Sequence, residues 1–280
     1  MLIWDKLILQ LSGDDLLPAG RILYVRRTPM KPTWTFFVFS AICLILSSAV
    51  FANPLTDAIG NGDIEGVRSA LRKGNSVNSK GPGNTPALIM AISLEHPDIA
   101  RLLIEKGAKL GARDDMGSTA LHEAAYRQYL EIVRLLVEKG AKVNDKNHIG
   151  YTPFRYAAMD YFSKETAGDI VLFLISKGAN VNEKDRKGET ALHGLALNGK
   201  IDLLRVLLDK GAQVNAATDE GLTPLHLTAG NGNYECVQFL LERGADLHVR
   251  TRDGKTAMDF ALKNGHEETA EFLREKMEKH

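Results

Sequence analysis

"TPLHLTAGNGNYECVQFLLERGADLHVRTRDGK", Thr223 to Lys255, is one complete copy of a pattern that recurs along the chain. Thr223 is placed to cap a helix, its hydroxyl accepting from an early helical N–H. Pro224 fits the first helical position, where its missing N–H costs nothing. Leu225 and Ala229 give that short helix one apolar stripe. Asn231-Gly232 ends it, since glycine takes the left-handed conformation that closes many helices. A second helix is expected from Tyr234 to Arg243, with Val237, Leu240 and Leu241 at helical spacing. Gly244 stops it, and Asp253-Gly254 makes a turn before the next threonine. Such a unit cannot bury its apolar face alone and must stack on copies of itself.

The copies are present. "TPALIMAI" begins at Thr85, "TALHEAAY" at Thr119, "TPFRYAAM" at Thr152, "TALHGLAL" at Thr190 and "TAMDFALK" at Thr256. The threonines 85, 119, 152, 190, 223 and 256 step by 34, 33, 38, 33 and 33 residues. A second marker, Gly74, Gly107, Gly140, Gly178, Gly211 and Gly244, steps by 33, 33, 38, 33 and 33. The pattern extends back to "NPLTDAIGNGDIEGVRSALRKG", Asn53 to Gly74, and forward to a seventh unit whose charged final helix, "HEETAEFLREKMEKH", suits a solvent-facing end.

A period near 33 with a T-P-L-H-x-A core resembles the ankyrin repeat. The resemblance implies an all-α ankyrin-repeat solenoid of about seven helix-turn-helix units joined by β-turn fingers. The units are expected at 53–84, 85–118, 119–151, 152–189, 190–222, 223–255 and 256–280. Together they form one domain, 53–280, which leaves no room for a separate catalytic domain.

Residues 1–52 differ in kind. Trp34 to Ala52 carries no charged residue, Lys31 precedes the run, and "VFA" at Val50 to Ala52 has small residues where a signal peptidase reads. These are the three regions of a secretory signal, expected at 30–52 with the mature chain starting at Asn53. Met30-Lys31 makes a normal bacterial start, so residues 1–29 are read as a mis-assigned start or a cytosolic extension. The alternative is an uncleaved anchor, because 19 uncharged residues just span a bilayer. Arg21, Arg26, Arg27 and Lys31 precede the run, so both readings place the repeats outside the cytoplasm: periplasmic or secreted, or anchored to the inner membrane.

Composition narrows the partners. The chain balances 35 Lys and Arg against 35 Asp and Glu, with no basic stripe, which argues against nucleic acid. Of the two cysteines, Cys43 would leave with the signal, and Cys236 aligns with Ile132 at a core position of a second helix. No disulfide is therefore expected in the mature protein, and Cys236 reads as a small buried hydrophobe. No Asn-x-Ser/Thr sequon is present, which favours a bacterial periplasm over a eukaryotic secretory route.

His122, His193 and His226 occupy one position in three units, more than 30 residues apart, and make no local metal cluster. The i,i+4 histidine pair of a zinc protease is absent. In the ankyrin family this histidine is a framework residue that hydrogen-bonds around the turn, and the resemblance implies the same here. Glu123 beside His122 has no counterpart, Gly194 and Leu227 standing in its place. No phosphate loop, nucleophile elbow or carboxylate pair appears, so neither an enzyme nor a cofactor is expected.

Recognition is expected where the units depart from the pattern. Asn-Gly separates the helices at Asn61-Gly62, Asn198-Gly199, Asn231-Gly232 and Asn264-Gly265. Units two to four lack it: "LEHPD" reads as carrying one added residue, "RQY" none, and "DYFSKETAG" five. Five of the seven tyrosines lie between Tyr126 and Tyr161, and tyrosine is a favoured contact residue at interfaces. The resemblance implies a concave recognition surface formed by turn tips and the exposed face of the first helices. Tyr126, Tyr151 and Tyr156 are expected to share a patch there; Tyr161 and Phe162 fall in the insertion at the opposite edge. The rival reading is packing around the insertion, with Arg155 a degenerate histidine position. The function expected is non-enzymatic binding of a partner protein by a monomer, as an inhibitor, immunity-type protein or scaffold. The alternatives are an effector secreted into a host cell and, more weakly, an enzyme.

Overall fold

The structure, a computed structural model, describes residues 53–159 and 166–278. The expected extension 1–29, the signal 30–52, and Tyr161 and Phe162 lie outside the described residues. Among the described residues no helix is long and apolar enough to cross a membrane.

Among the described residues, fourteen α-helices fall into seven pairs: α1 (Pro54–Gly60) and α2 (Ile64–Arg72), α3 (Ala87–Ser93) and α4 (Pro97–Glu105), α5 (Ala120–Tyr126) and α6 (Leu130–Glu138), α7 (Pro153–Ala158) and α8 (Thr166–Ser176), α9 (Ala191–Leu197) and α10 (Ile201–Asp209), α11 (Pro224–Gly230) and α12 (Tyr234–Glu242), and α13 (Ala257–Lys263) and α14 (Glu267–Glu278). Each pair is one unit of the expected solenoid. First helices of 6 or 7 residues are too short to persist alone in water, so their stability comes from stacking. Within α11 and α12, Leu225, Ala229, Val237 and Leu240 are buried completely or nearly so. Their counterparts Leu121, Ala125, Val133 and Leu136, and Leu192, Ala196, Leu204 and Leu207, are buried equally. Stacking thus joins single stripes into two shared clusters, one reaching from Leu55 to Phe239 and a second from Leu225 to Leu273.

The marker glycines take the backbone that the pattern requires. Gly74, Gly107, Gly140, Gly178, Gly211 and Gly244 close the second helices at φ between 82° and 93°. Between the helices, Gly62, Gly199, Gly232 and Gly265 have φ of 65° to 79°. Units two and three keep this turn without glycine, holding Glu95 at φ 64° and Gln128 at φ 61°.

Unit two corrects the sequence register. Its inter-helix turn, Leu94 to His96, has the same length as Arg127 to Tyr129 and Asn231 to Asn233, so no residue is added there. The N-cap of α3 is Pro86, not Thr85. Thr85 instead corresponds to Ser118: Gly81 N–H donates to the Thr85 carbonyl as Asp114 N–H does to that of Ser118. Measured from Pro86, the interval to Thr119 is 33 residues, like its neighbours. In unit four α8 has 11 residues, where other second helices such as α6 have 9.

Two sets of hydrogen bonds tie the units edge to edge. Along the fingers, His148 N–H donates to Met116 O, Arg186 to Ile149, Asp219 to Lys187 and Arg252 to Glu220, at 2.9–3.2 Å. Away from the fingers, Asn144, Asn182 and Asn215 each accept from a backbone N–H of the next unit through Oδ1. Each also donates through Nδ2 to the carbonyl of the glycine that closes the next unit's second helix.

Candidate functional site

The histidines form one repeated linkage. In unit three the Thr119 N–H donates to His122 Nδ1 at 3.1 Å, and Nε2 lies 3.0 Å from the carbonyl of Tyr151, the residue that leads into the next unit's capping threonine. His193 bridges Thr190 to Leu222 in the same way, and His226 bridges Thr223 to Lys255. An N–H only donates and a carbonyl only accepts, so Nδ1 must be bare and Nε2 protonated. A second proton on Nδ1 would face the threonine N–H. Burial accordingly holds His122 and His193 down at about 4, and lowers His226 as well. These groups cap helices and tie each first helix to the turn that leads into the next unit. Among the described residues no group of three His, Cys, Asp or Glu side chains could hold a metal ion.

Four units replace the histidine: unit one has Thr56 and unit two Ile89 at this position, and units seven and four have charged residues. In unit seven Asp259 accepts from Thr256 N–H and Oγ1–H at 2.8 Å, which reproduces the local half of the linkage. In unit four Arg155 reaches the turn that leads into unit five with charge. Its Nη2 lies 2.9 Å from Glu189 Oε2 and 3.6 Å from Asp185 Oδ2. Glu189 precedes Thr190 as Tyr151 precedes Thr152, so arginine reaches the same residue as histidine, by its side chain instead of its carbonyl. The Arg155 side chain is only 6% exposed, and its Nε and Nη1 have no hydrogen-bond partner.

The structure brings three of the expected tyrosines together. Tyr156 sits in the middle, its ring 5.7 Å from that of Tyr126 and 5.5 Å from that of Tyr151, edge on in both cases. His122 meets it at 6.0 Å. The Tyr156 hydroxyl accepts from Asn147 Nδ2 at 3.1 Å, and burial pushes its pKa up to about 12. Tyr151 lies over the Arg155 guanidinium, with 5.1 Å from ring centre to Cζ. Asn147 is the keystone of this finger: its Oδ1 accepts from Ile149 N–H and Tyr151 N–H, and its Nδ2 reaches Ser118 and Tyr156. All three tyrosines are half-exposed, with Tyr126 and Tyr151 flanking Tyr156. Tyr161 and Phe162 are outside the described residues.

Sequence reasoning passed over two neighbours of this patch. Met116 and Ile149 stand at consecutive finger tips, 41% and 38% exposed. Units four to six place Lys187, Glu220 and Asp253 at the same position, just before the finger glycine. At the ends of the first helices Tyr126 and Leu197 share one position, and Leu197 is 43% exposed. The signal was available in the alignment of units, at the residue three before each capping threonine.

A family model described as ankyrin repeats (3 copies) matches residues 55–147, 144–218 and 196–280. The chain belongs to the ankyrin-repeat family. No curated protein gives a match to it. Ankyrin repeats are generally protein–protein interaction modules, and ankyrin domains are typically non-enzymatic. In this ankyrin chain the framework histidines supply rigidity, and the apolar finger tips and tyrosines of units three and four supply the surface that breaks the pattern.

Proposed function

We propose that this ankyrin-repeat chain is an exported, non-enzymatic binding protein that holds a partner protein against units three to five. The observation that carries the reading is the clustering of Tyr126, Tyr151 and Tyr156 beside the apolar tips Met116 and Ile149. Rigid aromatic side chains beside exposed apolar ones are what interface hot spots use, and a stacked array gives them a fixed backing. Export is supported by the uncharged run Trp34 to Ala52 behind basic residues, which would deliver the array to a periplasmic or extracellular partner. In that setting, masking a toxin or hydrolase, or scaffolding an enzyme, needs only complementarity.

The test uses a partner isolated by pull-down from a periplasmic extract. Tyr151→Ala is expected to leave the melting temperature nearly unchanged and to weaken binding by more than ~1 kcal/mol. Tyr156→Ala is expected to lower both, because its ring is wedged between three others. Normal affinity in the folded fraction of both variants would assign the tyrosines to packing alone. N-terminal sequencing of the protein from its native host checks export separately: a start at Asn53 is expected, and recovery of residues 1–29 in a membrane-bound form would overturn cleavage.

A further inference from the structure

The seam between units four and five holds a second irregularity beside the arginine. The helix-one position occupied by Tyr156 in unit four and Leu227 in unit six is Gly194 in unit five. A missing side chain between two large ones leaves a notch. A Cβ built on Gly194 would have two heavy atoms within 4 Å, Arg155 Nη1 at 3.8 Å and Cζ at 3.9 Å. The notch therefore faces the guanidinium edge that carries no hydrogen bond. A buried donor left unpaired is costly, and a histidine, as in units three, five and six, would have avoided that cost. An unpaired, buried guanidinium edge beside an empty side-chain position is the geometry of a receptor for an oxygen acceptor.

We propose that this notch is a specificity pocket for the side-chain carboxamide of an Asn or Gln presented by the partner protein. The inference rests on the binding-surface reading above and adds the chemistry of one contact. Charge selects against an acid: Arg155 already faces the carboxylates of Glu189 and Asp185, so a third anion is repelled while a neutral acceptor is not. A carboxamide also brings donors, and the Glu189 side chain, 36% exposed, has acceptor capacity left beyond its bond to Arg155. The Tyr151 ring is the cover. It stacks on the guanidinium and shields Nη1 from solvent, so the entering amide turns the half-exposed ring aside.

Small amides test the pocket without the natural partner, so its failure leaves the binding-surface reading standing and the two are distinguishable. The full-length chain is labelled with nitrogen-15, and the Arg155 Nε–H and Gly194 amide signals are followed by NMR. Acetamide, N-methylacetamide and acetate are titrated separately at constant ionic strength. Acetamide is expected to shift both signals, N-methylacetamide to shift them less, and acetate not at all. Tyr151→Ala, which removes the cover, is expected to enlarge the acetamide shift. Gly194→Ala, which fills the notch with a methyl at ordinary contact distance and favours the helix, is expected to abolish it while the protein stays folded. A response to acetate as large as to acetamide overturns the charge argument and the proposal. An equal response to N-methylacetamide overturns the side-chain assignment. A shift that survives Gly194→Ala, or no shift in any of the proteins, overturns the pocket.

Discussion

The seam between units five and six and the seam between units four and five solve one problem in two ways. In the first, neutral His193 donates to a backbone carbonyl, and both of its ring nitrogens are used. In the second, charged Arg155 pairs with Glu189 and Asp185 and leaves two nitrogens unused. The histidine linkage depends on main-chain atoms and so tolerates any residue before the next threonine: Tyr151, Leu222 and Lys255 all serve. The arginine linkage depends on specific carboxylates and cannot be moved to another seam. The regular seams are therefore interchangeable, and the irregular one is particular to its place.

The sharpest way to break the comparison is Arg155→Ala. It leaves Asp185, 5% exposed, without its counter-charge, and removing one partner of a buried pair costs about 3–5 kcal/mol. Urea denaturation should show that loss, with hydrogen exchange accelerated around α7 and α9. A cost below that of a surface substitution would mean that water already relieves the seam.

Acid separates the two linkages in one experiment. The folded pKa of His122 and His193 is lowered to about 4 from 6.5, so the neutral form is the folded one. The unfolded chain binds more protons between those values, and stability must fall as pH drops. The contribution is fully present above pH 6.5 and lost by about 4, on the order of 3 kcal/mol for each of the two histidines. Hydrogen exchange at pH 7 and 4.5 should show the seams 3/4, 5/6 and 6/7 loosening before 4/5. Uniform loosening would refute the contrast.

His226→Ala removes one histidine linkage and should cost about 1–3 kcal/mol in thermal or chemical melts, without weakening partner binding in the folded protein. The smallest effect sharpens the picture of the other seam. Glu189→Gln keeps the shape of the half-exposed partner of Arg155 and should cost less than about 1 kcal/mol, because such pairs are strongly screened. A larger loss would move the electrostatic weight of the seam from Asp185 to Glu189.

Local chemistry explains what could be read from the sequence. The helix pairs were legible because capping threonine, Pro224-type first positions and closing glycines each have a fixed backbone meaning. The framework role of His122 was legible from its recurrence. Thr85 misled because it looks like a cap and lies one residue early, and only the finger bond from Gly81 shows that Pro86 holds the capping position. Asn144, Asn182 and Asn215 were overlooked because their partners lie about thirty residues away, beyond any local pattern. The Arg155 linkage was illegible for the same reason: substitution at the histidine position looks like decay until Glu189 is seen against it. The tyrosine patch was half legible, since alignment groups the residues but cannot say that Tyr156 is wedged between its neighbours.

Asp259 gives the array a direction of growth. Its carboxylate satisfies Thr256 but has no proton to hand forward, whereas each histidine before it does. A gene duplication that copied unit six and inserted it directly after unit five would find a histidine before it and one after it, so the same linkage could form on both sides. The same copy appended after α14 would meet an acceptor where it needs a donor. Lengthening at that end demands a codon change as well as a duplication, so tandem gain of units is favoured in the interior of the gene.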